Sequence, residues 1–81
     1  MSQAEKLVAR MRANPVGWTM EDVGRACRAT GLTCANPSSG SHYKISHPSL
    51  PHILTVPFKR PIKPVYIRSL LQMIDQVKAK G

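Results

Sequence analysis

The chain has 81 residues, of which 42% are hydrophobic and 20% are charged, a composition that fits one small globular domain and excludes an intrinsically disordered segment. Twelve lysine and arginine residues oppose four acidic residues, and the net charge of +8 favours a polyanionic partner, either nucleic acid or an acidic protein surface. No apolar run is long enough to span a membrane and the N-terminus lacks the apolar core of a signal peptide, so we expect a cytoplasmic protein with no membrane partner.

An N-terminal helix is predicted over residues 3–13. Ser2 and Glu5 fit a capping box at its start, and Asn14-Pro15 ends it. Its apolar side chains recur at intervals of three and four residues and therefore share one face: Ala4, Leu7, Val8 and Met11. This apolar stripe has to be buried, and packing against the rest of the domain is the simplest arrangement.

A second helix is predicted after Thr19, which is a favourable N-cap residue, and Gly31 is placed to end it. One face of this helix carries Met20, Val23, Cys27 and Thr30. The two cysteines, Cys27 and Cys34, have no zinc-binding or redox spacing, so we expect two buried free thiols.

Three short strands and a third helix follow. The strands are predicted at residues 32–35, 41–47 and 52–58, and a basic loop rich in proline leads to a helix from about residue 65. The apolar stripe of that helix consists of Ile67, Leu70, Leu71, Ile74 and Val77. The sequence therefore predicts an α+β fold: a three-stranded antiparallel sheet with helices on one face.

The open face of this sheet is predicted to carry a histidine. Alternation places Tyr43 and Ile45 toward the helices, and it places His42, Lys44 and Thr55 toward solvent. An imidazole that titrates near neutrality can deprotonate a ribose 2′-hydroxyl or protonate the departing 5′-oxygen. The neighbouring glycine, serine and cations are suited to bind the phosphate: Gly40, Ser41, Lys44, Lys59, Arg60 and Lys63.

A metal site is not expected. The three histidines, His42, His47 and His52, are five residues apart, so the first two face opposite sides of an extended strand. His47 and His52 are assigned to turns or to solvent, beside Pro48 and Pro51. The reaction considered at His42 requires neither a metal nor another cofactor.

Several of these segments together resemble the HicA family, the toxins of HicA–HicB toxin–antitoxin modules. The matching features are Gly40-Ser41-His42 at the start of the second strand, Val56-Pro57 at the end of the third, the basic loop from Lys59 to Lys63, and the helix from Val65. Within the single domain, residues 1–81, the resemblance covers residues 19–78. Residues 1–17 form an N-terminal helical extension that the minimal family pattern lacks.

The resemblance implies a fold like the double-stranded-RNA-binding domain and a metal-independent mRNA endoribonuclease whose catalytic residue is His42. It also implies a HicB-like antitoxin that occludes the site in a hetero-oligomer, and a bacterial cytoplasmic location. Two alternatives stay open. One is a non-catalytic RNA-binding module of the same fold, and the other is a protein-interaction domain whose basic face meets an acidic partner.

Overall fold

The computed structural model describes residues 3–36, 42–58 and 61–80, with only the backbone at Ala4 and Lys80. These residues form a small α+β fold with three antiparallel strands, as the sequence predicts. The elements, in chain order, are α1 (Gln3–Ala13), α2 (Met20–Thr30), β1 (Thr33–Ala35), β2 (His42–Ser46), β3 (Leu54–Pro57) and α3 (Pro64–Lys80). None of the described helices is long and apolar enough to cross a membrane.

Both ends of α2 have the predicted caps. The Thr19 hydroxyl accepts a hydrogen bond from the Asp22 N–H at 3.2 Å, and the Asp22 carboxylate accepts one from the Thr19 N–H at 3.0 Å. Gly31 ends the helix with a φ of 82°, a conformation in which a side chain would be strained. The capping box predicted for α1 includes Ser2, which lies outside the described residues.

The sheet has the order β1-β2-β3, and both pairs of strands are antiparallel. Ile45 at its centre lies opposite Cys34 on one side and opposite Leu54 on the other. β3 is shorter than predicted, because the chain turns directly after β2: the Leu50 N–H donates to the His47 carbonyl at 3.0 Å. Residues 52 and 53 therefore have no strand to pair with, and Ile53 is exposed.

The helices cover one face of the sheet and bury a single core. Its central members are fully buried side chains from both layers: Val23, Cys27, Ile45, Val56, Ile67, Leu70 and Ile74. Cys27 and Cys34 are both free, but only Cys27 is buried; Cys34 lies on the edge strand β1 and is half-buried. The prediction of two buried thiols is therefore wrong for Cys34.

The N-terminal extension packs on the domain, as predicted. Val8 and Met11 of α1 are buried among the core residues, and α1 contacts both α2 and α3. An ion pair between Arg12 and Asp75 joins α1 to α3 at the surface. The N-terminal helix is therefore part of the core.

Candidate nucleic-acid interface

His42 lies at the first position of β2, where the strand begins, and its side chain is exposed. Its cross-strand neighbour on β3 is Pro57. Because side chains alternate along a strand, His42 shares its face of the sheet with Lys44, which is also exposed. The structure thus brings an imidazole and an ammonium group together, two residues apart on one strand.

The surface around this pair is open because its other residues are small. Lys44 lies opposite Ala35 on β1 and opposite Thr55 on β3, and both are exposed. The helices lie on the other side of the sheet, where Ile45 and Val56 are buried. The predicted orientation of His42, Lys44 and Thr55 toward solvent is confirmed, and an extended polyanion can reach this face.

The other predicted phosphate-binding residues are described only in part. Gly40, Ser41, Lys59 and Arg60 lie outside the described residues. Lys63 is exposed directly before α3, and its carbonyl accepts a hydrogen bond from the Tyr66 N–H at 3.0 Å. Lys63 therefore belongs to the start of a helix rather than to the sheet surface that carries His42.

The remaining histidines lie away from His42, in the positions that the sequence predicts. His47 follows β2 and its Nδ1 accepts a hydrogen bond from the Ser49 N–H at 3.0 Å, which stabilises the turn. His52 is exposed before β3. Among the described residues, no three metal-ligating side chains come together. Within the described part of the chain, His42 is therefore the only histidine on the open face of the sheet.

A second surface feature was not predicted from the sequence. A groove of about 600 Å³ runs between α2 and the end of the sheet at which β2 begins. Its walls include Arg25 and Arg28 of α2, Tyr43 of β2 and Phe58 directly after β3. These residues come from three separate parts of the chain and form no sequence motif. The only indication of the groove in the sequence is the pair of aromatic residues, Tyr43 near the start of β2 and Phe58 after the end of β3.

Charge at the rim of this groove is partly balanced. The Arg25 guanidinium donates a hydrogen bond to the Asp22 carboxylate at 2.7 Å. Partial burial opposes ionisation of Asp22, but the hydrogen bonds from Thr19 and the charge of Arg25 outweigh it and hold the pKa of Asp22 below its ordinary value. Arg28 is exposed and has no ion-pair partner among the described residues, so it is available to an anion.

Comparison with known proteins adds no relative, since no family model, curated protein or solved structure matches the chain. A function can therefore be inferred only from the exposed pair His42 and Lys44 on the open face, the groove on the helical side, and the sequence resemblance.

Proposed function

We propose that this protein is a metal-independent endoribonuclease of the HicA type, the toxin component of a toxin–antitoxin module, with His42 as its catalytic residue. The observation that carries the proposal is the exposure of His42 beside Lys44 on a sheet face that no described helix covers. A general acid–base group has to reach its substrate, and an exposed imidazole at a strand end can do so.

The reaction is transesterification at phosphorus. The neutral His42 imidazole accepts the proton of a ribose 2′-hydroxyl while the 2′-oxygen attacks the adjacent phosphorus atom. The bond to the 5′-oxygen breaks, and the same imidazole returns its proton to that oxygen. The products are a 2′,3′-cyclic phosphate and a 5′-hydroxyl, and Lys44 binds a phosphate of the same strand and offsets the charge that develops.

The order of elements supports this proposal. From α2 to α3 the chain runs helix, three antiparallel strands, helix, which is the order of the double-stranded-RNA-binding-domain-like fold that the resemblance implies. The net charge of +8 provides the attraction to RNA that such an enzyme needs. In this proposal a HicB-like antitoxin covers the His42 face in a hetero-oligomer, in the bacterial cytoplasm.

The test compares RNA cleavage and RNA binding by the wild-type protein, His42→Ala and His52→Ala, all in EDTA. His52→Ala is the matched control because it also removes an exposed histidine, but one outside the sheet. We expect cleavage by the wild type and His52→Ala, and a loss of about a hundredfold or more in His42→Ala, with binding retained. Cleavage that survives in His42→Ala, or that requires a divalent metal, would refute the proposed mechanism.

One observation favours the alternative of a non-catalytic RNA-binding module. His42 is exposed at a strand end beside Lys44, and from that position its ring can stack on a base or bind phosphate without transferring a proton. In that case RNA is bound but not cleaved. Single-turnover conditions, with protein in excess over RNA, distinguish the two functions because even a slow nuclease accumulates product.

A further inference from the structure

The groove on the helical side lies at the same end of the sheet as His42. β1 ends at Ala35 and is followed by Asn36, β2 begins at His42, and β3 ends at Pro57. Three of the residues that line the groove lie at these strand ends: Asn36, Tyr43 and Phe58. Since Tyr43 directly follows His42 and points to the opposite face, the groove and the imidazole are separated only by the thickness of the sheet.

Two aromatic rings form one wall of the groove. The ring centroids of Tyr43 and Phe58 are 5.8 Å apart, and the planes meet at 29°, so the rings are stacked. Phe58 is 42% exposed, so part of its ring is accessible to a ligand. A planar base can extend such a stack, and base–aromatic stacking is the common way in which proteins hold unpaired nucleotides.

The opposite wall carries positive charge. Arg25 and Arg28 are both exposed on α2 and lie three residues apart, on one side of the helix. Gly24 also lines the groove, and a Cβ at this position would contact the Arg28 guanidinium at 3.4 Å. A guanidinium group binds phosphate with two parallel hydrogen bonds, so this wall suits the backbone of a strand whose base lies against the rings.

Two further polar groups can read the edge of a base. The Asn36 side chain offers both a donor and an acceptor, and the Glu21 carboxylate accepts from an exocyclic amino group. A volume of about 600 Å³ is in the range of small-ligand sites, about 300–1,000 Å³, and exceeds what a single water or ion requires. The combination of rings, cations and hydrogen-bonding groups matches a nucleotide better than it matches an acidic peptide, which has no planar group to stack.

We propose that this groove binds one unpaired base of the RNA strand whose neighbouring phosphate lies at His42. The strand crosses the end of the sheet, with its scissile phosphate on the open face and the adjacent base on the helical face. The inference depends on the proposed function for the identity of the ligand, because it assigns the base to a substrate RNA. It adds a source of sequence preference and a preference for single strands, since a paired base cannot enter the groove.

The test measures binding of fluorescently labelled eight-nucleotide single-stranded RNA by anisotropy, in the His42→Ala background, which keeps the RNA intact. Each nucleotide is replaced in turn by an abasic residue. We expect one position at which loss of the base weakens binding about fivefold or more, because one stacked base contributes this much. In the double variant His42→Ala/Phe58→Leu, intact RNA should bind more weakly than it binds to His42→Ala, by about the same factor as the abasic substitution. Removal of the base at that position should then weaken binding no further.

Two matched controls separate the groove from general charge and hydrophobicity. Arg28→Gln is compared with Arg68→Gln, which removes the same charge from an exposed site on α3, and Phe58→Leu is compared with Ile53→Ala, an exposed apolar residue outside the groove. We expect the groove variants to weaken binding at least three times more than their controls. Circular dichroism of each variant verifies that the fold is retained.

The outcomes distinguish this inference from the proposed function. Cleavage by the wild type together with an abasic scan that is flat, or equal effects of Arg28→Gln and Arg68→Gln, overturns the groove and leaves the nuclease intact. A sensitive abasic position without cleavage by the wild type supports the groove and refutes the nuclease. Absence of any binding to RNA refutes both, and binding of an acidic peptide that Phe58→Leu abolishes would assign the groove to a protein partner.

Discussion

The two faces of one strand differ in what they can do. On the outer face, β2 presents His42 and Lys44 to solvent beside small neighbours. On the inner face, Ile45 is fully buried, whereas Tyr43 at the strand end is half-buried beside the groove. The inner face is therefore sealed at its centre and accessible at one end, and that end is the one that carries the histidine.

This difference separates stability from function in a very small protein. A domain of this size has one core, so few residues can be removed from it without loss of the fold. The outer face contributes little to that core and is free to carry reactive and charged groups. On the inner face, the boundary between the sealed centre and the accessible end can be located by chemical modification and by mutation.

The largest difference is expected in the reactivity of the two thiols, Cys27 and Cys34. Burial raises the pKa of the Cys27 thiol from its ordinary value of 9.0 to about 12, with a further contribution from the neighbouring Cys34, and Arg28 opposes the shift. The reactive thiolate of Cys27 is then roughly a thousandfold rarer than that of an ordinary cysteine. Burial also raises the pKa of Cys34, but this side chain lines the groove and is accessible.

A thiol-specific reagent at pH 8 is therefore expected to modify one cysteine of the native protein, and both after unfolding. Peptide mapping should locate the modification at Cys34, and Cys34→Ser should leave no fast-reacting thiol. Early modification of Cys27 would show that the inner face is open further toward its centre.

The next largest difference is expected between two adjacent residues of β2, in how much their replacement by alanine lowers the free energy of unfolding. Ile45→Ala removes a fully buried side chain and should lower the free energy of unfolding by about 2–5 kcal/mol. Lys44→Ala, one position away on the outer face, should change it by no more than about 0.5 kcal/mol. Urea unfolding of both variants measures the contrast, and equal effects would mean that the outer face is covered in solution.

The helical layer can be weakened without touching the sheet. Thr19→Ala removes the hydroxyl that caps α2 and should cost about 0.5–2 kcal/mol of stability. Ser49→Ala, which removes an exposed hydroxyl from a turn, serves as the control and should stay within about 0.5 kcal/mol of the wild type. A thermal melt of both variants tests this, and an unchanged midpoint for Thr19→Ala would show that the capping box contributes nothing.

The smallest effect is expected from the surface ion pair that joins α1 to α3. The hydrogen bond from Arg12 holds the pKa of Asp75 below its ordinary value of 3.8, and the positive charges of Arg12 and Lys78 add to it. A carboxyl with a lowered folded pKa stabilises the protein above its unfolded pKa, and this contribution is lost as the pH falls through the folded pKa. Because the Arg12 and Asp75 side chains are 43% and 54% exposed, screening limits the contribution to less than about 1 kcal/mol.

Asp75→Asn should therefore be less stable than the wild type at pH 7, and the difference should disappear as the pH falls through the folded pKa of Asp75, when both are measured by urea unfolding. The difference at pH 7 should shrink in 1 M salt, because exposed ion pairs are screened. A difference that persists at low pH would assign the effect to packing and not to the charge.

Local patterns in the sequence accounted for most of the elements. The N-cap at Thr19, the glycine at the end of α2, the stripe of α3 and the alternation of β2 each depend on neighbours a few residues away, and all were confirmed. The start of β3 was predicted wrongly, because residues 52 and 53 have no partner: β2 ends at Ser46 and the chain turns at His47. Ile62 was not predicted as a core residue, since it precedes α3 and its burial depends on a distant segment, where its N–H donates to the Trp18 carbonyl. Met73 was also left out, although its spacing from Leu70 fits the stripe of α3.

By itself, the sequence determined the α+β class, the order of its helices and strands, and the orientation of His42 toward solvent. These follow from periodicity, capping and alternation, which act over short distances along the chain. Only the tertiary structure decided that Cys34 is half-buried at the edge of the sheet, and that two arginines of α2 and two aromatic rings line the same groove. Those arrangements depend on how separate elements pack, and no local pattern records the distance between them.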